Sequence, residues 1–176
     1  MSKTNGVKAA ILIVILGGTA YFALRQRPAR PLAIGDSAPD FSVPALPSGS
    51  LALKNYRGQI VVLNLWATWC PPCVEETPSL VRFAEKMRNQ GVIVLGVSVD
   101  EDPKALHDFI QDNHIPYPVG RDPDRSLSAR YGTLQFPETY ILDRRGLVAE
   151  KVVGATDWDD PRIQSFVLDL ARGSNH

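Results

Sequence analysis

The 176 residues include two cysteines, Cys70 and Cys73, separated by two prolines. Thiols at that spacing can close into a disulfide and reopen, which is two-electron chemistry with a partner's disulfide or dithiol. Half of a zinc site and a static staple are the bland alternatives. A structural zinc takes about four ligands, and the sequence has no second CxxC and no HxxxH to complete a set. A staple closing so short a loop removes little freedom from the unfolded chain. Reversible exchange is the reading that gives both sulfurs a task.

The flanking elements say how the pair is held. Ile60-Val61-Val62-Leu63-Asn64-Leu65-Trp66 is an almost continuous apolar run, rich in β-branched residues and too short for a helix, so it reads as a buried strand. After the cysteines, Val74, Thr77, Leu80, Val81, Ala84 and Met87 recur at helical spacing until Asn89-Gln90-Gly91 stops them. The cysteines therefore sit where a strand hands over to a helix N-terminus, whose free N–H groups and partial positive charge favour a thiolate. Cys70 is the expected nucleophile. Cys73, one turn further in, is expected to be more buried and to resolve the mixed disulfide. Pro71 and Pro72 carry no N–H, so the expected acidity of Cys70 is moderate.

Val62-Leu63-Asn64-Leu65-Trp66-Ala67-Thr68-Trp69-Cys70-Pro71-Pro72-Cys73, followed by Phe136-Pro137-Glu138-Thr139-Tyr140-Ile141-Leu142-Asp143, resembles the membrane-tethered thioredoxin-like proteins of the TlpA/ResA/DsbE group. The resemblance covers roughly residues 34 to 173. It implies an α/β, thioredoxin-like fold: a mixed central sheet flanked by helices, an N-terminal β-hairpin, a central helical insertion, and an N-terminal transmembrane helix. It also implies thiol-disulfide oxidoreductase activity without a cofactor or a metal. Pro137 matches a proline that is cis and faces the CxxC in that fold, leaving nearby backbone free to pair with an extended substrate. Glu76 matches an acidic residue near the active site, with a solvated helix-face glutamate as its bland reading, whereas Glu75 points about 100° away. Asn64 stands where thioredoxin has a buried acid. Trp69, Pro71, Pro72 and Phe136, flanking the cysteines and the proline, form the candidate substrate-binding set; Trp66 is expected in the core and Trp69 partly exposed.

The rest of the chain fits that order. Ser42-Val43 and Leu51-Ala52-Leu53, around Pro47-Ser48-Gly49-Ser50, read as a small hairpin. Val92 to Val99 is a second buried strand. Asp102-Pro103 caps a helix with Ala105, Leu106, Phe109 and Ile110 on one face. Tyr117-Pro118-Val119 reads as a short strand and Ser126 to Tyr131 as a short helix. Thr139 to Asp143 and Leu147 to Val153 form a hairpin across Arg144-Arg145-Gly146. Asp160-Pro161 opens a last helix burying Ile163, Phe166, Val167 and Leu170.

Residues 1–8 are a tail, and Ala9 to Leu24 is a sixteen-residue stretch without a charge. At 1.5 Å per residue it spans about 24 Å, short of a roughly 30 Å hydrocarbon core unless Lys8 and Arg25 snorkel. Gly18-Thr19-Ala20 offers a signal-peptide cleavage site, yet the apolar run continues past it, so an uncleaved anchor is expected. No cysteine follows it for lipidation. Positive charges on the two flanks do not decide orientation, but stable dithiol-disulfide work belongs outside the cytosol, so the domain is expected on the extracytoplasmic, periplasmic side of a bacterial cytoplasmic membrane. Residues 25–33, with Pro28 and Pro31, form a linker, 34–173 the thioredoxin-like domain and 174–176 a tail.

Formal net charge is zero, so nothing in the charge balance points to nucleic acid or another polyanionic partner. The partners that the resemblance implies are exported dithiol or disulfide proteins, apocytochrome c among them, and a membrane electron donor for re-reduction. Copper handling by two thiolates and a histidine is the alternative from another class, but Sco-like proteins use a wider cysteine spacing. His107 and His114, seven apart, are expected on one helix face, and His176 lies in the tail. Thioredoxin-like peroxidases place Thr or Ser three residues before the reactive cysteine, where this chain has Ala67.

Overall fold

In the computed structural model, residues 17–18 and 30–173 are described. The expected 9–24 anchor lies outside them apart from Gly17 and Gly18, which are helical; among the described residues no helix is long and apolar enough to cross a membrane. Seven strands form one mixed sheet: β1 (Ser42–Leu46), β2 (Ser50–Ala52), β3 (Ile60–Trp66), β4 (Val92–Ser98), β5 (Val119–Arg121), β6 (Glu138–Leu142) and β7 (Val148–Val153). Their spatial order is β2-β1-β5-β4-β3-β6-β7, with β3, β4 and β5 parallel and the other pairings antiparallel. Among the described residues four α-helices cover it: α1 (Pro71–Met87), α2 (Pro103–Asp112), α3 (Ser126–Tyr131) and α4 (Pro161–Arg172).

All seven residues of β3 are buried because the strand lies deep in the sheet and is covered on both faces. Alternate side chains then enter different cores. Ile60, Val62 and Trp66 meet Leu80, Phe83 and Met87 of α1, Leu106 of α2 and Val167 of α4. Val61, Leu63 and Leu65 meet Phe41, Leu51, Leu53, and Leu127 and Tyr131 of α3. Asn64 has the parity of the first set, so its amide points toward α1 rather than α3.

The expected hairpins form, with β1 pairing β2 and β6 pairing β7; Gly146, at φ 81°, takes the left-handed turn position that suits glycine. Asp102 and Asp160 accept from Lys104 N–H and Arg162 N–H, each at 2.8 Å, as the N-caps read from sequence. Some expectations shift. The fifth strand starts at Val119 rather than Tyr117, since Pro118 has no N–H for the ladder and offers only its carbonyl, to Gly96 at 3.0 Å. Val74 and Ala105 are exposed although helical spacing put them on buried faces, because each sits about 100° round its helix from the adjacent residue the core takes instead, Cys73 or Leu106. His114 does not share a helix with His107: α2 ends at Asp112, and His114 lies beyond its C-cap with φ 49°.

Candidate active site

Strand β3 delivers the chain at Trp66, and Cys70 is the N-cap of α1, with extended backbone at φ −95° and ψ 107°. That conformation turns its side chain toward the first helical turn, where Sγ accepts from the Cys73 N–H at 3.4 Å. A helix N-terminus normally offers several free donors. Pro71 and Pro72 remove two, and the Val74 N–H goes to the Cys70 carbonyl at 3.1 Å. From the first turn, the Cys73 N–H is what reaches the Cys70 sulfur. The cysteines are joined as a disulfide with Cα atoms 5.3 Å apart. Cys70 is 5% exposed and Cys73 1%, so the second cysteine is the deeper one.

Glu76, one turn beyond Cys73, is 3% exposed, which rules out the solvated reading; Glu75 is exposed as expected. Because Asn64 faces α1, its Nδ2 donates to Glu76 Oε1 at 2.8 Å and to Thr139 Oγ1, across the β3–β6 ladder, at 2.9 Å. Glu76 Oε2 accepts from Thr156 N–H at 3.2 Å and Trp158 Nε1 at 3.4 Å. Burial pushes the Glu76 carboxyl above its usual 4.5, against the pull of the bonds from Thr156, Asn64 and Trp158. The folded state therefore holds this proton more tightly than the unfolded chain. The resulting stabilisation is complete below about pH 4.5 and is lost as pH rises through the raised folded value. Between about pH 4 and pH 8 the thermal midpoint of the oxidised protein should fall relative to that of Glu76→Gln. Parallel profiles would contradict the assignment.

A second buried carboxylate, not singled out from the sequence, holds the other side of the turn. Asp100 accepts from Thr68 N–H at 2.9 Å, from Thr68 Oγ1 at 2.6 Å, and from Ser98 Oγ. Thr68 is two residues before Cys70, so Asp100 clamps the redox turn to the end of β4. The available signal was an acid directly after the apolar run Val92 to Val99, where a buried strand has no ordinary use for one.

The Phe136–Pro137 bond is cis, as expected; so is Leu46–Pro47, which the sequence did not flag. Pro137 is buried, and its carbonyl accepts from Gly154 N–H at 2.9 Å. Phe136 lies edge-on to Trp69, ring centroids 6.5 Å apart at 84°, so the loop before β6 meets the redox turn. Trp66 is in the core and Trp69 is 56% exposed. Pro71 and Pro72 are exposed on the first turn of α1. Glu138 continues from Pro137 into the opposite core, where Oε1 meets Lys151 Nζ at 3.0 Å, Thr133 Oγ1 at 2.9 Å and the Tyr140 hydroxyl. Among the described residues, no three His, Cys, Asp or Glu side chains gather as a metal site.

A model of the AhpC/TSA family matches residues 34–151. The chain belongs to that family. It is 31% identical over 157 residues to thiol-disulfide oxidoreductase ResA of Bacillus thuringiensis, covering 88% of this chain and 91% of that protein. It is 35% identical over 127 residues to thiol:disulfide interchange protein DsbE of Pseudomonas aeruginosa, covering 70% and 68%. A DsbE-type structure from Chlorobium tepidum superposes with a TM-score of 0.74 at 28% identity, over 80% of this chain and 99% of that one. With a CxxC disulfide at the strand-to-helix junction, this family member is a thiol-disulfide oxidoreductase of ResA/DsbE type. Ala67 brings no hydroxyl toward Cys70, and the adjacent Thr68 hydroxyl is taken by Asp100.

Proposed function

We propose that the chain reduces disulfides in exported proteins, apocytochrome c foremost, from the extracytoplasmic face of the membrane. The observation that carries this reading is the donor-poor setting of Cys70. Two prolines leave one helix N–H on the sulfur, and a buried carboxylate lies one turn beyond Cys73. A protein that gives its thiolate little stabilisation has a weakly stabilised reduced form and gives its electrons away.

In the proposed cycle the Cys70 thiolate attacks one sulfur of the partner's disulfide. An S–S bond forms between Cys70 and the partner, and the partner's other sulfur leaves as a thiolate. Cys73 then attacks Cys70 Sγ, releasing the partner's second thiolate and closing the Cys70–Cys73 disulfide. Two electrons pass to the partner, whose thiolates take protons from solvent. The disulfide of this structure corresponds to the spent state, and a membrane electron donor returns it to the dithiol. Trp69, Pro71, Pro72, Phe136 and Pro137 are proposed to receive the partner's segment, and Glu76 to tune the pair from inside. Residues 9–24 would anchor the 34–173 domain through the 25–33 linker, without resident cofactor or metal.

The ResA and DsbE names of its relatives support the exchange chemistry, and the resemblance supports the substrate. A strain lacking the chain should lose most of its c-type cytochromes and regain them when an added thiol reductant replaces it. Normal c-type cytochromes in the deletion strain would remove the proposed substrate.

A further inference from the structure

We infer that Arg125, Trp69, Phe136 and Leu134 form a docking surface that selects partner segments carrying an acidic side chain beside the disulfide. The inference rests on the exchange reading above and adds the chemistry of the partner.

Arg125 sits at the N-cap of α3 in the left-handed region, φ 56° and ψ 23°. Glycine is the residue that takes this conformation without a steric penalty, and an arginine there needs a compensating reason. Capping is not that reason. The Arg125 side chain makes no cap hydrogen bond; Asp122 instead accepts from the N–H groups of Leu127 and Ser128, each at 2.9 Å. The guanidinium lies 5.8 Å from the Trp69 ring centroid, next in sequence to Cys70. Among the described residues no carboxylate pairs with it. Asp124, its neighbour, is turned back to Ser126 N–H at 3.2 Å.

The occupant follows from the chemistry of Cys70. A partner must bring a disulfide sulfur to Cys70, and doing so covers Trp69. Phe136 lies edge-on beside Trp69, and Leu134, two residues before Phe136 in the chain, is 86% exposed. This apolar platform suits an extended segment's side chains. A guanidinium resting on a ring face keeps its N–H edges available, and their complement is a carboxylate. Such a rim charge acts mainly on encounter and specificity.

The test uses the reduced full-length protein and three synthetic disulfide peptides, identical except for Glu, Gln or Lys beside one cysteine. We expect kcat/KM about threefold higher for the Glu peptide than for the Gln peptide, lowest for Lys, with the preference fading at about 1 M salt. Arg125→Gly should abolish the preference while its thermal midpoint stays level or rises, since glycine fits the backbone. Equal turnover of the three peptides by the wild type would overturn the inference alone. So would a preference that persists in Arg125→Gly, or a variant less stable than the wild type. If no peptide is turned over, the exchange reading falls and this inference with it.

Discussion

Cys70→Ser is expected to abolish disulfide exchange and to form no mixed disulfide, whereas Cys73→Ser should accumulate one with its partner. The asymmetry comes from position. Cys70 is the N-cap, with a helix N–H on its sulfur; Cys73 is inside the first turn and almost fully buried. The first can meet an outside sulfur, and the second can meet only Cys70. With Cys73 gone, the attack still forms the S–S bond to the partner but nothing within the protein resolves it. Non-reducing electrophoresis and mass spectrometry of each variant give the readout. Trapped adducts on Cys70→Ser, or faster alkylation of Cys73 than of Cys70 at neutral pH, would reverse the assignment.

Trp158→Ala should cost about 3–5 kcal/mol, the usual loss for a fully buried tryptophan. In a domain of this size that lowers the thermal midpoint by the order of 10 °C. Trp158 is wholly buried, its ring 5.2 Å from Phe83. Its backbone N–H donates to Ser79 Oγ at 3.2 Å, its carbonyl accepts from Gln164 Nε2 at 3.0 Å, and its indole N–H reaches Glu76. One side chain thus pins the segment before α4 to the redox helix. Trp158→Phe keeps most of the packing and drops the indole donor, so it should be far milder in stability while shifting the Glu76 titration. Equal thermal losses for the two variants would contradict the division between packing and hydrogen bonding.

The redox pair was legible because its signals are local: a buried strand, a turn and a helix start within fourteen residues, Ile60 to Cys73. The hairpins and the Asp102 and Asp160 caps were legible for the same reason. What encloses the site was not. Asn64 meets Glu76 only because strand parity turns its amide toward α1, and Thr139 joins them through a register set by tertiary pairing. Thr156 and Trp158 reach Glu76 from about 80 residues away, a separation that carries no periodic signal. Asp100 was hidden by its neighbours, since an acid between a strand and a capped helix resembles an ordinary loop residue until its bonds to Thr68 appear. Val74 and His114 went the other way. Spacing gave Val74 a buried face and His114 a helical place, but Val74 lies on the open side of the turn whose Cys73 is buried, and α2 ends before His114.

The reducing direction of the proposed function is tested most directly by the reduction potential of the Cys70–Cys73 couple, equilibrated in thiol–disulfide buffers at pH 7. With two prolines stripping donors from the Cys70 sulfur, the account predicts a value near the reductant end, about −270 mV as for thioredoxin. A value near the strong oxidants, about −120 mV, would contradict it.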